Sequence, residues 1–335
     1  MRPDVLLPAT QVRALTAALD GAEAALRRAV AVAARRGPGV RPLGSRSAHR
    51  TLAGVFLDLL CCHCLLRAPW SATAASRLVP ELLRQSAEEL GLYFGPHVPD
   101  GPGGHGAAGR EQLSLLRAEL TRLPSGEEHC PLDRDRIEAT LVRLRSATGG
   151  TPHTAWLRSA APLLLSELAS LEQEFGGRDP FPYRRPATAL AERRALLVAA
   201  GACTETWLAA RADAPSQRAD APSRRGEISA AKAVVSAAKA DVSAKADLSA
   251  ARTDTPWART DSHSALTDAS SARTDTPSAF VADPAWLTGV LQRTVVRLGT
   301  APLPGPAPDI SATATAEVLE RCAQGRRFDL CGTPL

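Results

Sequence analysis

Apolar residues recur at helical spacing along most of this chain. In segment 8–35 they repeat every three or four residues, which predicts an amphipathic helix. In segment 46–68 they nearly encircle the helix, which predicts a central core helix. The repeating apolar positions of the first segment include Val12, Leu15, Leu19, Leu26 and Val30.

Further helices are predicted by the same spacing, separated by clusters of Gly and Pro. Thr10, Ser71 and Asp283 are predicted N-caps, and Pro284 suits a first helical position. Pro80 lies inside one helix and predicts a kink or a local break there. The additional helices are expected at about 71–94, 110–123, 133–146, 154–175, 187–210, 283–298 and 311–324.

A tandem repeat fills residues 211–279, where the helical pattern stops. Nine units of seven residues and one of six follow a consensus of a base, a small residue, an acid and four mostly small residues. A coiled coil requires two strongly apolar positions per heptad, and here one position of the consensus is apolar, and only in the middle units. Proline also recurs in four units. These features favour a disordered linker, with a short Ala-rich helix near 228–251 as the alternative.

The composition favours an all-α protein. Hydrophobic residues make up 44% of the chain and aromatics only 4%, with Ala and Leu dominant. The net charge of +5 is scattered along the helices, so specific nucleic-acid binding is not expected. No run of 18 apolar residues and no signal peptide is found, and seven irregularly spaced cysteines suggest a reducing compartment. A cytoplasmic protein without a membrane span is therefore predicted.

The cysteines are candidates for a redox or metal site. Cys61 and Cys64 form a C-x-x-C pair, but the pair lies deep in an apolar helix, away from the helix N-terminus that would activate a thiol. The other cysteines are single and widely spread, so no second ligand pair for zinc is present. We expect these thiols to pack in the core, and no metal site is predicted.

Three stretches, in this order, resemble the C-terminal helical domain of acyl-CoA dehydrogenases, most closely the divergent actinobacterial members from secondary metabolism. RRGPGVRPL at 35–43 with the helix at 49–62 resembles the family's R-x-F-G-x-P-L turn and the helix after it. The run at 74–95 and the end of the chain from 284 resemble the later helices. Together they cover roughly 150 residues. The resemblance implies an up-and-down helical bundle, with 1–210 as its main part and 280–335 as its closing helices.

The family oxidises the Cα–Cβ bond of acyl thioesters with FAD. By resemblance, Arg36 would touch the flavin diphosphate, since an arginine can pair with phosphate through two bonds. The family's glycine pair falls at Gly95 by helix register, or at Gly103 and Gly104 by the glycines themselves. No residue can be assigned as the catalytic glutamate.

The resemblance does not include the N-terminal helical domain or the β-barrel that complete the flavin site in this family. It therefore implies a protein that is either inactive or completed by a partner subunit. The expected partners are further copies of this chain in a homo-oligomer or a complementary flavoprotein subunit. The alternative hypothesis is a cofactor-free helical interaction module of a biosynthetic or regulatory complex, because helical bundles bind partners through apolar faces. Whether the protein is an enzyme is left open by these two hypotheses.

Overall fold

The computed structural model describes residues 7–35, 46–94, 105–123, 132–176, 187–220, 279–299 and 308–330. These residues are almost entirely helical, and no β-strand occurs among them, which confirms the all-α class. The helices are α1 Ala9–Arg35, α2 Arg46–Arg67, α3 Ala72–Tyr93, α4 His105–Arg122, α5 Arg134–Arg145, α6 Pro152–Gly176, α7 Ala187–Asp220, α8 Ala279–Ala282, α9 Pro284–Leu298 and α10 Ser311–Ala323. A 3₁₀ turn at Pro69–Ser71 joins α2 to α3.

Helix α2 is the central element of the bundle, as its apolar pattern predicted. It packs against α1, α3, α9 and α10, and its residues from Leu52 to Cys62 are all buried. By length and composition alone, α2 could cross a membrane, but 72% of its most apolar window is buried inside the protein. That burial is the environment of a core helix.

Aromatic side chains close the core around α2. The ring of Phe56 lies 5.7 Å from the rings of both Phe280 and Phe328. The indole N–H of Trp286 donates to the carbonyl of Val281, and that of Trp207 donates to the carbonyl of Ala282. Buried indoles thus fill volume and satisfy backbone groups at the same time.

The predicted helix caps differ in their outcome. Asp283 caps α9 as predicted: its side chain accepts the N–H of Ala285 at 2.7 Å, and Pro284 is the first helical residue. Ser71 occupies the N-cap position of α3, but its hydroxyl donates to the carbonyls of Leu65 and Ala68. It therefore satisfies the end of α2 and does not cap α3.

Several predicted boundaries are corrected. Thr10 lies inside α1, which begins at Ala9, so Thr10 is not its cap. Helix α3 continues through Pro80, so the predicted local break does not occur, and the alternative of a kink stays a prediction. Helix α4 begins at His105, five residues before its predicted start. The first turns of α4 thus include glycines for which the sequence predicts a loop.

Beyond the predicted end at 210, α7 continues to Asp220, so the first ten residues of the repeat are helical. The rest of the predicted linker up to 278 lies outside the described residues, and its disorder stays a prediction. The chain divides into two compact units, Met1–Ala212 with Thr276–Leu335, and Asp213–Asp275. Helices α9 and α10 of the first unit pack directly on α2.

Candidate ligand pocket between α2, α9 and α10

A pocket of about 540 Å³ opens between the first half of α2, the middle of α9 and the start of α10. Three arginines line it: Arg46 and Arg50 from α2 and Arg293 from α9. The side chains of Ala53, Leu57 and Ile310 supply an apolar wall. The pocket thus combines positive charge with a hydrophobic surface.

Two helix N-termini meet at this pocket. Arg46 is the first residue of α2 and Ser311 is the first residue of α10, and both line the pocket. Arg50 follows Arg46 by one helical turn, so both guanidinium groups share one face of α2. A helix N-terminus carries a partial positive charge, which adds to the charge of the arginines.

One of the lining residues, Arg293, belongs to an ion-pair network around Asp58. This carboxylate is 2% exposed and lies in the middle of α2. Arg293 donates to both of its oxygens, at 3.0 Å from Nε and 2.5 Å from Nη2, and Arg297 donates to both at 3.0 and 2.9 Å. Arg293 also binds Glu89 of α3 at 2.9 Å, and Arg297 binds Gln85.

This network balances its own charge, with two carboxylates against two guanidinium groups. Burial alone would lower the pKa of Arg293, but the carboxylates of Asp58 and Glu89 outweigh burial and raise it. Arg293 therefore stays charged, and its charge is already neutralised within the protein. Arg46 and Arg50 are exposed, and no ion pair of either occurs among the described residues.

One acidic residue, Asp309, also lines the pocket. Its carboxylate accepts the backbone N–H of Ser311 at 3.0 Å. That backbone hydrogen bond, followed by a bond from the Ser311 hydroxyl and by the charges of Arg46 and Arg50, lowers the pKa of Asp309. Asp309 therefore stays ionised at neutral pH.

Glycines give the pocket its shape. A Cβ at position 54 would lie 2.5 Å from Nη1 of Arg293, and one at position 289 would lie 2.7 Å from Cδ1 of Leu57. Gly54 therefore leaves room for the guanidinium group beside α2. Gly289 lets α9 approach Leu57 of α2 and Ile310.

The predicted flavin contacts cannot be placed in this geometry. Arg36, Gly95 and the alternative pair Gly103 and Gly104 all lie outside the described residues. The flavin contacts stay a prediction from the resemblance.

The cysteines of the C-x-x-C segment pack in the core, as predicted, while Cys322 is half-buried and Cys130 and Cys331 lie outside the described residues. Cys61, Cys62 and Cys64 are buried in α2. The thiol of Cys203 from α7 forms hydrogen bonds with the thiols of Cys61 and Cys64, and these bonds, followed by burial, raise the pKa of Cys203. Burial, followed by the charges of Cys61 and Asp58, also raises the pKa of Cys62. Within the described ranges, no group of three His, Cys, Asp or Glu side chains is arranged to hold a metal ion.

Sequence reasoning missed the pocket, although two signals pointed to parts of it. Asp58 is an acid in the most apolar helix, and a buried acid requires a cationic partner. Arg293 and Arg297 share one face of a later helix. Nothing in the residue spacing indicates that α2 and α9 pack together, because Asp58 and its arginine partners are more than 230 residues apart in the sequence.

Comparison with known proteins adds no assignment: no protein family, no curated protein and no solved structure matches this chain.

Proposed function

We propose that this protein binds an anionic ligand that carries a short apolar portion, in the pocket between α2, α9 and α10. The observation that carries this proposal is the convergence of Arg46, Arg50 and the N-terminus of α2 on one pocket. Guanidinium groups and helix N-termini both bind phosphate, sulfate and carboxylate groups. The apolar side chains of Leu57 and Ile310 would contact the remainder of such a ligand.

The test uses butyl phosphate and butyl sulfate, which pair a tetrahedral anion with a short alkyl chain. Isothermal titration calorimetry should show saturable binding to the wild-type chain. The double variant Arg46→Gln, Arg50→Gln should bind each probe about tenfold more weakly, because two charged hydrogen-bond donors are lost. Added salt should weaken binding to the wild type more than binding to the variant.

A matched control removes two arginines elsewhere. Arg143 and Arg145 are exposed on α5 and do not line the pocket. The variant Arg143→Gln, Arg145→Gln has the same net charge as the pocket variant and should bind like the wild type. If the two double variants lose affinity equally, binding depends on net charge alone and the proposed site is wrong.

The acyl-CoA dehydrogenase resemblance leads to a second proposal, that the chain takes part in flavin-dependent oxidation of acyl thioesters with a complementary subunit. The all-helical fold and the ordered motifs support it, and the phosphates of coenzyme A are anions of the class that the pocket favours. With this second proposal we also propose an up-and-down order of the helices, a homo-oligomeric state and a cytoplasmic location. The cofactor-free interaction module is the competing one.

Flavin absorbance separates these two proposals. The full-length chain is purified alone and together with any copurifying partner, then incubated with excess FAD and desalted. Retained yellow colour supports the oxidoreductase proposal, and a colourless protein overturns it. A stable partner without flavin supports the interaction module, and analytical ultracentrifugation of the same samples gives the oligomeric state.

A further inference from the structure

We propose that Asp309 is a specificity-determining residue of the pocket, whose negative charge weakens the binding of a doubly charged anion more than that of a singly charged one. This inference rests on the proposed function of the pocket. It concerns the residue that sets specificity there. Asp309 lines the same pocket as Arg46 and Arg50, and it is the only acid among the described lining residues.

The charge balance of the pocket supports this role. Arg293 is neutralised by Asp58 and Glu89, so its charge is not available to a ligand. Two positive side chains, Arg46 and Arg50, and one negative side chain, Asp309, then face the pocket. The excess is one positive charge, half of what the two arginines would offer to an anion without Asp309.

Asp309 is also held in place. Its carboxylate accepts the N–H of Ser311 at the start of α10 and so occupies a position where a ligand anion would otherwise bind. The neighbouring Ile310 is buried, which anchors this stretch of backbone. An incoming anion therefore meets a fixed negative charge and cannot displace it without breaking the Asp309–Ser311 hydrogen bond.

The substitution Asp309→Asn isolates the charge. The asparagine carbonyl oxygen can accept the same N–H of Ser311, so the turn before α10 is retained. Only the negative charge is removed. The exposed Asp135 lies in the first turn of α5 and does not line the pocket, so Asp135→Asn is a control with the same change in net charge.

The experiment compares butyl sulfate, a monoanion, with butyl phosphate, which is mostly a dianion at pH 8. Isothermal titration calorimetry gives the dissociation constants for the wild type, Asp309→Asn and Asp135→Asn at low ionic strength. Coulomb repulsion scales with ligand charge, so the gain for the dianion is the square of the gain for the monoanion. We expect Asp309→Asn to tighten butyl sulfate binding about threefold and butyl phosphate binding about tenfold.

Any of four outcomes would overturn the inference. Equal gains for the two probes, or no gain, would show that Asp309 does not select charge, while binding to the wild type would still support the pocket. If Asp135→Asn tightens binding as much as Asp309→Asn does, the change in affinity depends on net charge alone and not on the position of Asp309. If neither the wild type nor Asp309→Asn binds either probe, the proposed function and this inference both fail.

Discussion

Asp58 shows at the residue scale how a buried charge is tolerated in this protein. A carboxylate that is 2% exposed is tolerated only if its charge is compensated, and here two guanidinium groups compensate it with four hydrogen bonds. Sequence analysis could identify Asp58 as an unusual acid in an apolar helix. It could not identify Arg293 and Arg297 as the partners, because arginines are spread over many helices of the chain.

The substitution Asp58→Asn should strongly destabilise the protein. It leaves two partly buried guanidinium groups without their main counter-charge, which we expect to lower the free energy of unfolding by about 2–4 kcal/mol. Urea unfolding followed by circular dichroism measures the change.

The control for Asp58→Asn is the same chemical change at an exposed pair. Glu138 and Arg134 of α5 form an ion pair in which both side chains are more than 40% exposed. Glu138→Gln should change the free energy of unfolding by less than about 0.5 kcal/mol. Similar losses in the two variants would contradict the view that burial gives Asp58 its importance.

At the scale of the elements, the periodicity predicted the described long helices, and most of its errors concern where they begin and end. Helix α4 shows why. Its first turns are rich in glycine, which the sequence indicates as loop, yet they are helical in the structure. Gly109 lies against the ring of Phe94, which is 2% exposed at the end of α3. The close approach of α4 to this ring outweighs the low helix propensity of glycine.

The substitution Gly109→Ala tests this packing. A methyl group there would lie 2.5 Å from Cδ1 of Phe94, so the ring or the helix has to move. The steric cost of overpacking exceeds the gain in helix propensity, and we expect a net loss of about 1–2 kcal/mol in the free energy of unfolding.

Gly150 provides the comparison, because a Cβ built there meets no atom within 4 Å. Gly150→Ala should be neutral within about 0.5 kcal/mol in the same urea experiment. A stabilised Gly109→Ala variant would mean that helix propensity, and not the contact with Phe94, decides the start of α4.

At the scale of the whole molecule, both sides of the repeat contribute to one core. The buried hydrophobic residues of the described chain lie at or before Ala210 and from Val281 onward. Trp207 before the repeat and Ala282 after it are joined by a hydrogen bond of 3.2 Å. Sequence analysis could recognise the repeat as foreign to the helical pattern. It could not show which helices pack together, because such contacts depend on tertiary complementarity and not on local spacing.

Replacing residues 213–275 with a flexible Gly/Ser linker of about ten residues should leave the first unit folded, because its described core residues are all retained. The urea midpoint and the thermal midpoint should match those of the full chain. Helicity lost beyond the removed residues, or a fall in either midpoint, would show that the repeat segment supports the bundle.

The contact of Asp58 with Arg293 and Arg297 also has a consequence for synthesis on the ribosome. These partners are 235 and 239 residues apart, so α2 leaves the exit tunnel long before the cations that neutralise its buried acid. At translation rates of about 5–20 residues per second, the interval is on the order of tens of seconds. During this time the most apolar helix of the chain, α2, lacks its packing partners α9 and α10. A nascent-chain chaperone that shields apolar segments would therefore stay bound longest to α2.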